Sequence, residues 1–118
     1  MRYVDGYLLP IPKKSVAAYT KLAKLASKVW KEHGALEYVE AVGDDLAVKM
    51  GISFKKRSGA KPADTVVFAF IVYKSRADRD RVNAAVMKDP RIAKMMNAPM
   101  PFDMKRMSYG GFKAIVDA

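Results

Sequence analysis

Apolar and aromatic residues dominate the run from Tyr3 to Ile11, and Pro10 and Pro12 close it. The chain therefore opens on a predicted strand that ends where proline removes a ladder donor. Beyond it the spacing changes. Val16, Tyr19, Leu22, Ala23, Ala26, Val29, Trp30 and His33 recur at threes and fours behind a capping Ser15, which predicts a helix with one apolar face, and Gly34 supplies its stop. The segment Ala35 to Val42 alternates as a second strand, with Leu36, Tyr38, Glu40 and Val42 on one face and Glu37 on the other. Gly43-Asp44-Asp45 ends it. About twenty residues of mixed glycine, lysine and isolated apolar side chains follow, with a short strand expected around 52–54; a loop of that length inside a compact domain is usually functional or mobile.

The run Val66 to Val72 has no polar alternation, which places it as a central strand covered on both faces. Ser75, with Asp78 three residues on, forms a capping box for a helix that carries Val82, Ala85, Val86 and Asp89 in a stripe. Pro90 suits the first position of a short helix through Met96. Pro99 and Pro101 then enforce an extended loop before a last strand from Lys105 to Val116. The order strand, helix, strand, strand, helix, strand predicts an α+β ferredoxin-like βαββαβ domain, a four-stranded antiparallel sheet with two helices on one face. The second face is then bare although the central strand is apolar on both sides. A second copy across a twofold axis is the simplest cover, so a homodimer is expected.

Composition narrows this picture. A chain of 118 residues suits one domain over 1–118 and buries roughly two-thirds of the surface its unfolded form exposes. It has no cysteine, which excludes disulfides, thiolate metal sites and a catalytic thiol. Asp5 and Gly6 interrupt the place where a signal peptide needs an apolar core, and no apolar run reaches membrane-spanning length, so a cytoplasmic location is expected. The net charge of +10 favours encounter with polyanions, and it is concentrated in Lys21, Lys24, Lys28 and Lys31 and in Lys55, Lys56 and Arg57 with Lys61.

Several motifs together resemble the YbaA-like or DUF1428 family of uncharacterised bacterial proteins. They are Tyr3-Val4-Asp5-Gly6 with Pro10-Ile11-Pro12-Lys13, His33-Gly34-Ala35 with Glu40, Gly43-Asp44-Asp45, Thr65-Val66-Val67-Phe68, Asp89-Pro90-Arg91, and the segment from Met100 to Phe112. The resemblance spans nearly the whole chain and implies the dimeric α/β barrel arrangement, whose superfamily also holds cofactor-free monooxygenases and haem-degrading enzymes. The chain departs from the family pattern at Val42, where a tryptophan is usual, and at Met104, where a glycine is usual.

No constellation names a substrate, and no cofactor is expected: phosphate-binding loop, dinucleotide fingerprint and nucleophile elbow are all missing. His33 is the only histidine, which makes a metal site improbable; it either acts as a base facing a helix-to-sheet cleft or caps the last carbonyls of its helix. Asp44 and Asp45 lack a third oxygen ligand and read as a solvated turn. Asp5, Tyr7 and Glu40 are polar groups in strands made for burial, which marks either a structural ion pair or a polar centre, and Lys105 or Arg106 could supply the counter-charge to Asp5 or Asp103.

Trp30 and Phe102 are the expected walls of the cleft, with Tyr109 beside them. Methionines 87, 95, 96, 100, 104 and 107 suit an adaptable apolar lining, a core or a dimer interface. Tyr109 and Phe112 differ by an odd number, so in a regular strand their rings point to opposite faces and form no stacking platform for RNA. The leading expectation is a homodimer that binds a small, largely apolar molecule in the cleft, extended by the resemblance to cofactor-free oxygenation or proton transfer. The alternative is a non-catalytic basic protein that meets RNA or an acidic protein through the lysine helix and the basic segment after it.

Overall fold

β1 (Tyr3–Pro12) and β3 (Asp64–Tyr73) pair antiparallel along their full lengths, Tyr3 opposite Tyr73 and Pro12 opposite Asp64. They form the centre of the sheet in the computed structural model, which describes residues 1–118. β2 (Glu37–Val42) pairs with β3 and β4 (Ser108–Lys113) with β1, both antiparallel, giving the order β2-β3-β1-β4. The ferredoxin-like α+β order read from the sequence is present. The barrel implied by the family resemblance is not: the sheet is open, with β2 and β4 as unpaired edges. Four strands are too few to curl into a closed wall around side chains, which takes about eight.

Alternation sorts the sheet into two faces. Leu9, Ile11, Val67, Ala69, Ile71 and Tyr73 are buried on one face, under α1 (Val16–His33), α3 (Arg76–Met87) and α4 (Pro90–Asn97). Val29 of α1, Val82 and Val86 of α3 and Ile92 of α4 meet there with essentially no exposure, and they carry the helix packing. The opposite face presents Val39 at 38%, Phe68 at 46% and Phe112 at 63% exposure. Its cover is partial, because Phe54 of the short α2 (Phe54–Ser58) sets its ring 6.0 Å from that of Phe68.

Local signals account for most boundaries. The Ser75 hydroxyl accepts the Asp78 N–H at 3.1 Å and caps α3, and Asp89 accepts the Arg91 N–H at 2.9 Å and caps α4. Gly34 ends α1 at φ 124°, donating to the Lys31 carbonyl at 3.2 Å while Ala35 donates to that of Trp30 at 3.0 Å. Three expectations fail locally. Ser15 is no cap, because a 3-10 turn over Lys13–Ser15 leads into α1 and holds Ser15 in a helical conformation with no capping bond. The strand expected at 52–54 is instead the start of α2, since Ser53 accepts the Lys56 N–H at 3.2 Å and Gly59 terminates the turn at φ 72°. The last strand is shorter than Lys105 to Val116. Asp103 caps a 3-10 turn over Met104–Arg106, and the ladder stops where Lys113 faces Tyr3, the first residue of β1.

Candidate functional site

A cavity of about 410 Å³ lies between the helix layer and the sheet. Its floor is Tyr7 and Leu9 of β1, Val67, Ala69 and Ile71 of β3, and Tyr38 and Glu40 of β2. Strand periodicity turns these side chains toward the helices, because each sits two or four residues from the next. Ala23 and Ala26 keep the nearby face of α1 low and leave room below it, while Trp30 closes one end. Phe102 closes the other, its ring edge-on to Tyr19 at 5.1 Å. All six methionines singled out from the sequence line this space: Met87, Met95, Met96, Met100, Met104 and Met107. Flexible thioethers give a wall that adapts to different apolar shapes. The volume falls in the range of small-molecule sites.

Glu40 is the polar focus. One carboxylate oxygen accepts the Tyr19 O–H and the other accepts the Tyr38 O–H at 2.7 Å. Burial, and then the neighbouring carboxylate, pushes both phenols well above the usual tyrosine range, so they stay protonated and keep donating. A second groove of about 260 Å³, between α1 and β2, reaches the same three side chains from the Lys24 side. Tyr19, Tyr38 and Glu40 therefore stand between the two spaces.

A second polar group is centred on Asn83, which lines the cavity beside Trp30. The Asn83 side-chain carbonyl accepts from Trp30 Nε1 and from the Tyr73 O–H, both at 3.1 Å, and its amide donates to Asp5 at 3.4 Å. Asp5 is 3% exposed and accepts from Arg79 at 2.8 Å. Arg79 in turn lies over the Tyr3 ring, 4.9 Å from its centroid. Asp5 is thus a structural ion pair beneath the site, and its cation is Arg79 where Lys105 or Arg106 was anticipated. Arg106 instead donates to Asp64 at 2.9 Å and to the Gly59 carbonyl at 2.8 Å, which ties the loop before β4 to the start of β3. The Lys61 backbone N–H, followed by Arg106, holds the Asp64 carboxyl below the usual range.

Of the residues anticipated as a ligand site, Tyr7, Trp30, Glu40, Phe102 and Tyr109 come together at the cavity, the last stacked on Tyr7 at 6.0 Å. Asp5, Asp103 and Arg106 do not line it. Neither does His33, whose Nε2 lies 2.9 Å from Asp89 in a cluster with Arg91 and Glu32 that joins the end of α1 to α4. Both readings of its ring, base in the cleft and carbonyl cap, give way to this pairing. Tyr109 and Phe112 do point to opposite faces, Tyr109 toward Tyr7 and Phe112 over Gly6, in an unbroken register. Lys21, Lys24, Lys28 and Lys31 are exposed along α1, whereas Lys55, Lys56 and Arg57 belong to α2 on the far side of the sheet.

Sequence reasoning missed Tyr19, Tyr38, Asn83 and Arg79. Tyr38 carried a signal, since it lies two residues before Glu40 on the same strand face. So did Arg79, which precedes Val82 and Val86 by three and seven on the buried face of α3. Asn83 carried none.

The family model described as a protein of unknown function, DUF1428, matches residues 2–104. This chain belongs to that family. Its relatives include the uncharacterized protein YbaA of Escherichia coli K12, 40% identical over 117 residues and matched across 99% of each chain. Among solved structures, the DUF1428 chain superposes on SnoaB, a cofactor-independent oxygenase from Streptomyces nogalater. That match has a TM-score of 0.61 and 13% identity over 98% of this chain and 95% of that one. A dimeric ferredoxin-like protein from an uncultured marine organism matches with a TM-score of 0.60 and 10% identity over 99% and 98%. At these identities the likeness is one of fold. No helix of this DUF1428 protein is long and apolar enough to cross a membrane.

Proposed function

We propose that this protein is a cytoplasmic homodimer that binds a small, largely apolar molecule in the cavity between its helices and its sheet. One observation carries the reading: a methionine- and aromatic-lined space of about 410 Å³ whose one charged group is Glu40, held between two tyrosines, with the Asn83 amide as the other non-aromatic polar side chain. Such a site takes an apolar body by shape and orients it by a few polar groups. The homodimer reading rests on the sheet face around Val39, Phe68 and Phe112, which α2 covers only in part, a surface of the kind that monomers rarely leave in water. A second copy stacked sheet to sheet would bury it.

Catalysis, as cofactor-free oxygenation or proton transfer, is suggested only by the likeness of fold to SnoaB. Glu40 is its proton acceptor in that case, and Tyr19 and Tyr38 orient the carboxylate; His33 lies elsewhere. A second reading, contact with RNA or an acidic protein, is favoured by the four exposed lysines of α1. Charge reversal at Lys24 and Lys28 would abolish polyanion binding and leave a cavity ligand in place.

Native mass spectrometry on protein purified gently at low salt reads the assembly mass and any retained molecule together. A dimer carrying a reproducible small adduct is the expected result. A monomer would remove the homodimer, and bound nucleic acid with no small adduct would favour the basic surface.

A further inference from the structure

We propose that the cavity selects a positively charged ligand: an apolar, preferably aromatic, organic amine whose ammonium lies against Glu40. The inference rests on the cavity being a ligand site and concerns what that ligand must be. The carboxylates of this chain differ in their partners. Asp5, Asp64 and Asp89 are all buried, and each has an arginine on it: Arg79 at 2.8 Å, Arg106 at 2.9 Å and Arg91 at 2.8 Å. Glu40 has none. It takes part in no ion pair, although the chain carries 22 lysines and arginines against 12 acids. Its partners are two neutral phenols, which orient a carboxylate without balancing its charge.

The rest of the lining points the same way. The cavity of about 410 Å³ contains no lysine, arginine or histidine, and Lys24, which lines the neighbouring groove, makes no ion pair with Glu40, so a cation entering the cavity would be the first to pair with that carboxylate. Each phenol occupies one position on one carboxylate oxygen, and a carboxylate accepts about four hydrogen bonds, so places remain for an ammonium. The faces of aromatic rings attract cations, and Tyr7, Trp30, Phe102 and Tyr109 surround the space that such a group would enter. An anionic ligand would instead set a second negative charge beside an unbalanced one in an apolar site, the arrangement that desolvation penalises most.

Three probes of matched shape test this on the full chain: phenylbutylamine, phenylbutanol and phenylbutyrate, titrated calorimetrically at neutral pH. Trp30, the only tryptophan, reports occupancy by its fluorescence. The amine should bind at least about tenfold more tightly than the alcohol, with the carboxylate weakest. In Glu40→Gln the amine should lose its advantage and bind no more tightly than the alcohol does to the same variant. Equal or tighter binding of the alcohol or the carboxylate by the native protein would overturn the charge selection and leave the cavity as a ligand site. Failure of all three to bind would overturn both. An amine preference that survives in Glu40→Gln would remove Glu40 as its source. If that variant does not fold, the series on the native protein decides alone.

Discussion

Arg79 reaches from α3 to Asp5 in the middle strand β1 and donates from Nη1 to Oδ1 at 2.8 Å, a pair closed over by the helix layer. Removing one member strands the other charge in the interior, which typically costs about 3–5 kcal/mol. Arg79→Met should therefore lower unfolding stability by about that amount in urea titration. The double variant Arg79→Met with Asp5→Leu should recover most of it, because no lone charge is left. A double variant no more stable than Arg79→Met would show that the pair is not the source of the loss.

Asp89 gives the protein an acid-sensitive joint. The Arg91 guanidinium first, then His33 and the Arg91 backbone N–H, hold its carboxyl far below the usual range. The folded pKa lies below the unfolded one, so the contribution is whole above about pH 4 and is lost as the pH falls further. Asp89→Asn should melt below the native protein at neutral pH, and the gap should narrow toward strong acid. Melting curves across that range check it; a gap that stays constant would count against the linkage.

Four of the six tyrosines behave in the opposite sense. Burial, the largest cause in each case, raises the phenols of Tyr7, Tyr19, Tyr38 and Tyr73 above the ordinary tyrosine value. The unfolded chain then loses its protons first, so stability is full below about pH 10 and declines as the pH rises beyond it. Ultraviolet titration should show phenolate absorbance from these four appearing only with unfolding. Six tyrosines titrating together in protein that circular dichroism shows to be folded would contradict the burial of this polar layer.

Phe102 closes the cavity from the loop between α4 and β4, where it meets Tyr19 edge to face and packs against the cluster of Leu9, Ile11, Val67 and Ala69. Because it is only half-buried, Phe102→Ala should cost about 1–3 kcal/mol of stability. Binding of phenylbutylamine should weaken by about tenfold or more, as an aromatic wall and a barrier to water are lost together. Loss of stability without loss of affinity would place Phe102 in the fold and outside the site.

Much of the site was legible in the order of residues. Glu40 stood out as an acid on the buried face of a strand, Tyr7 as its equivalent on β1, and Trp30 as the last aromatic on the apolar face of α1. The six methionines were visible as a cluster before any cavity was. The carboxylate partners were less so: Asp5 lies 74 residues from Arg79, and nothing local says which of 22 cations will arrive. Arg106 was an equally good candidate by chemistry and is instead held by Asp64.

Periodicity and punctuation by themselves determined the element order outside the 52–58 segment, the inward face of the long strands and helices, and the central place of the 66–72 run. These follow from 2.0- and 3.6-residue repeats that each segment carries within itself. Only the tertiary structure decided that the sheet stays open, that α2 lies across its second face, that His33 pairs with Asp89 outside the cavity, and that the half-buried Glu40 keeps phenols where each buried acid has an arginine. Those outcomes depend on which distant segments come within about 3 Å of one another, and hydrogen bonds and ion pairs act only at that range.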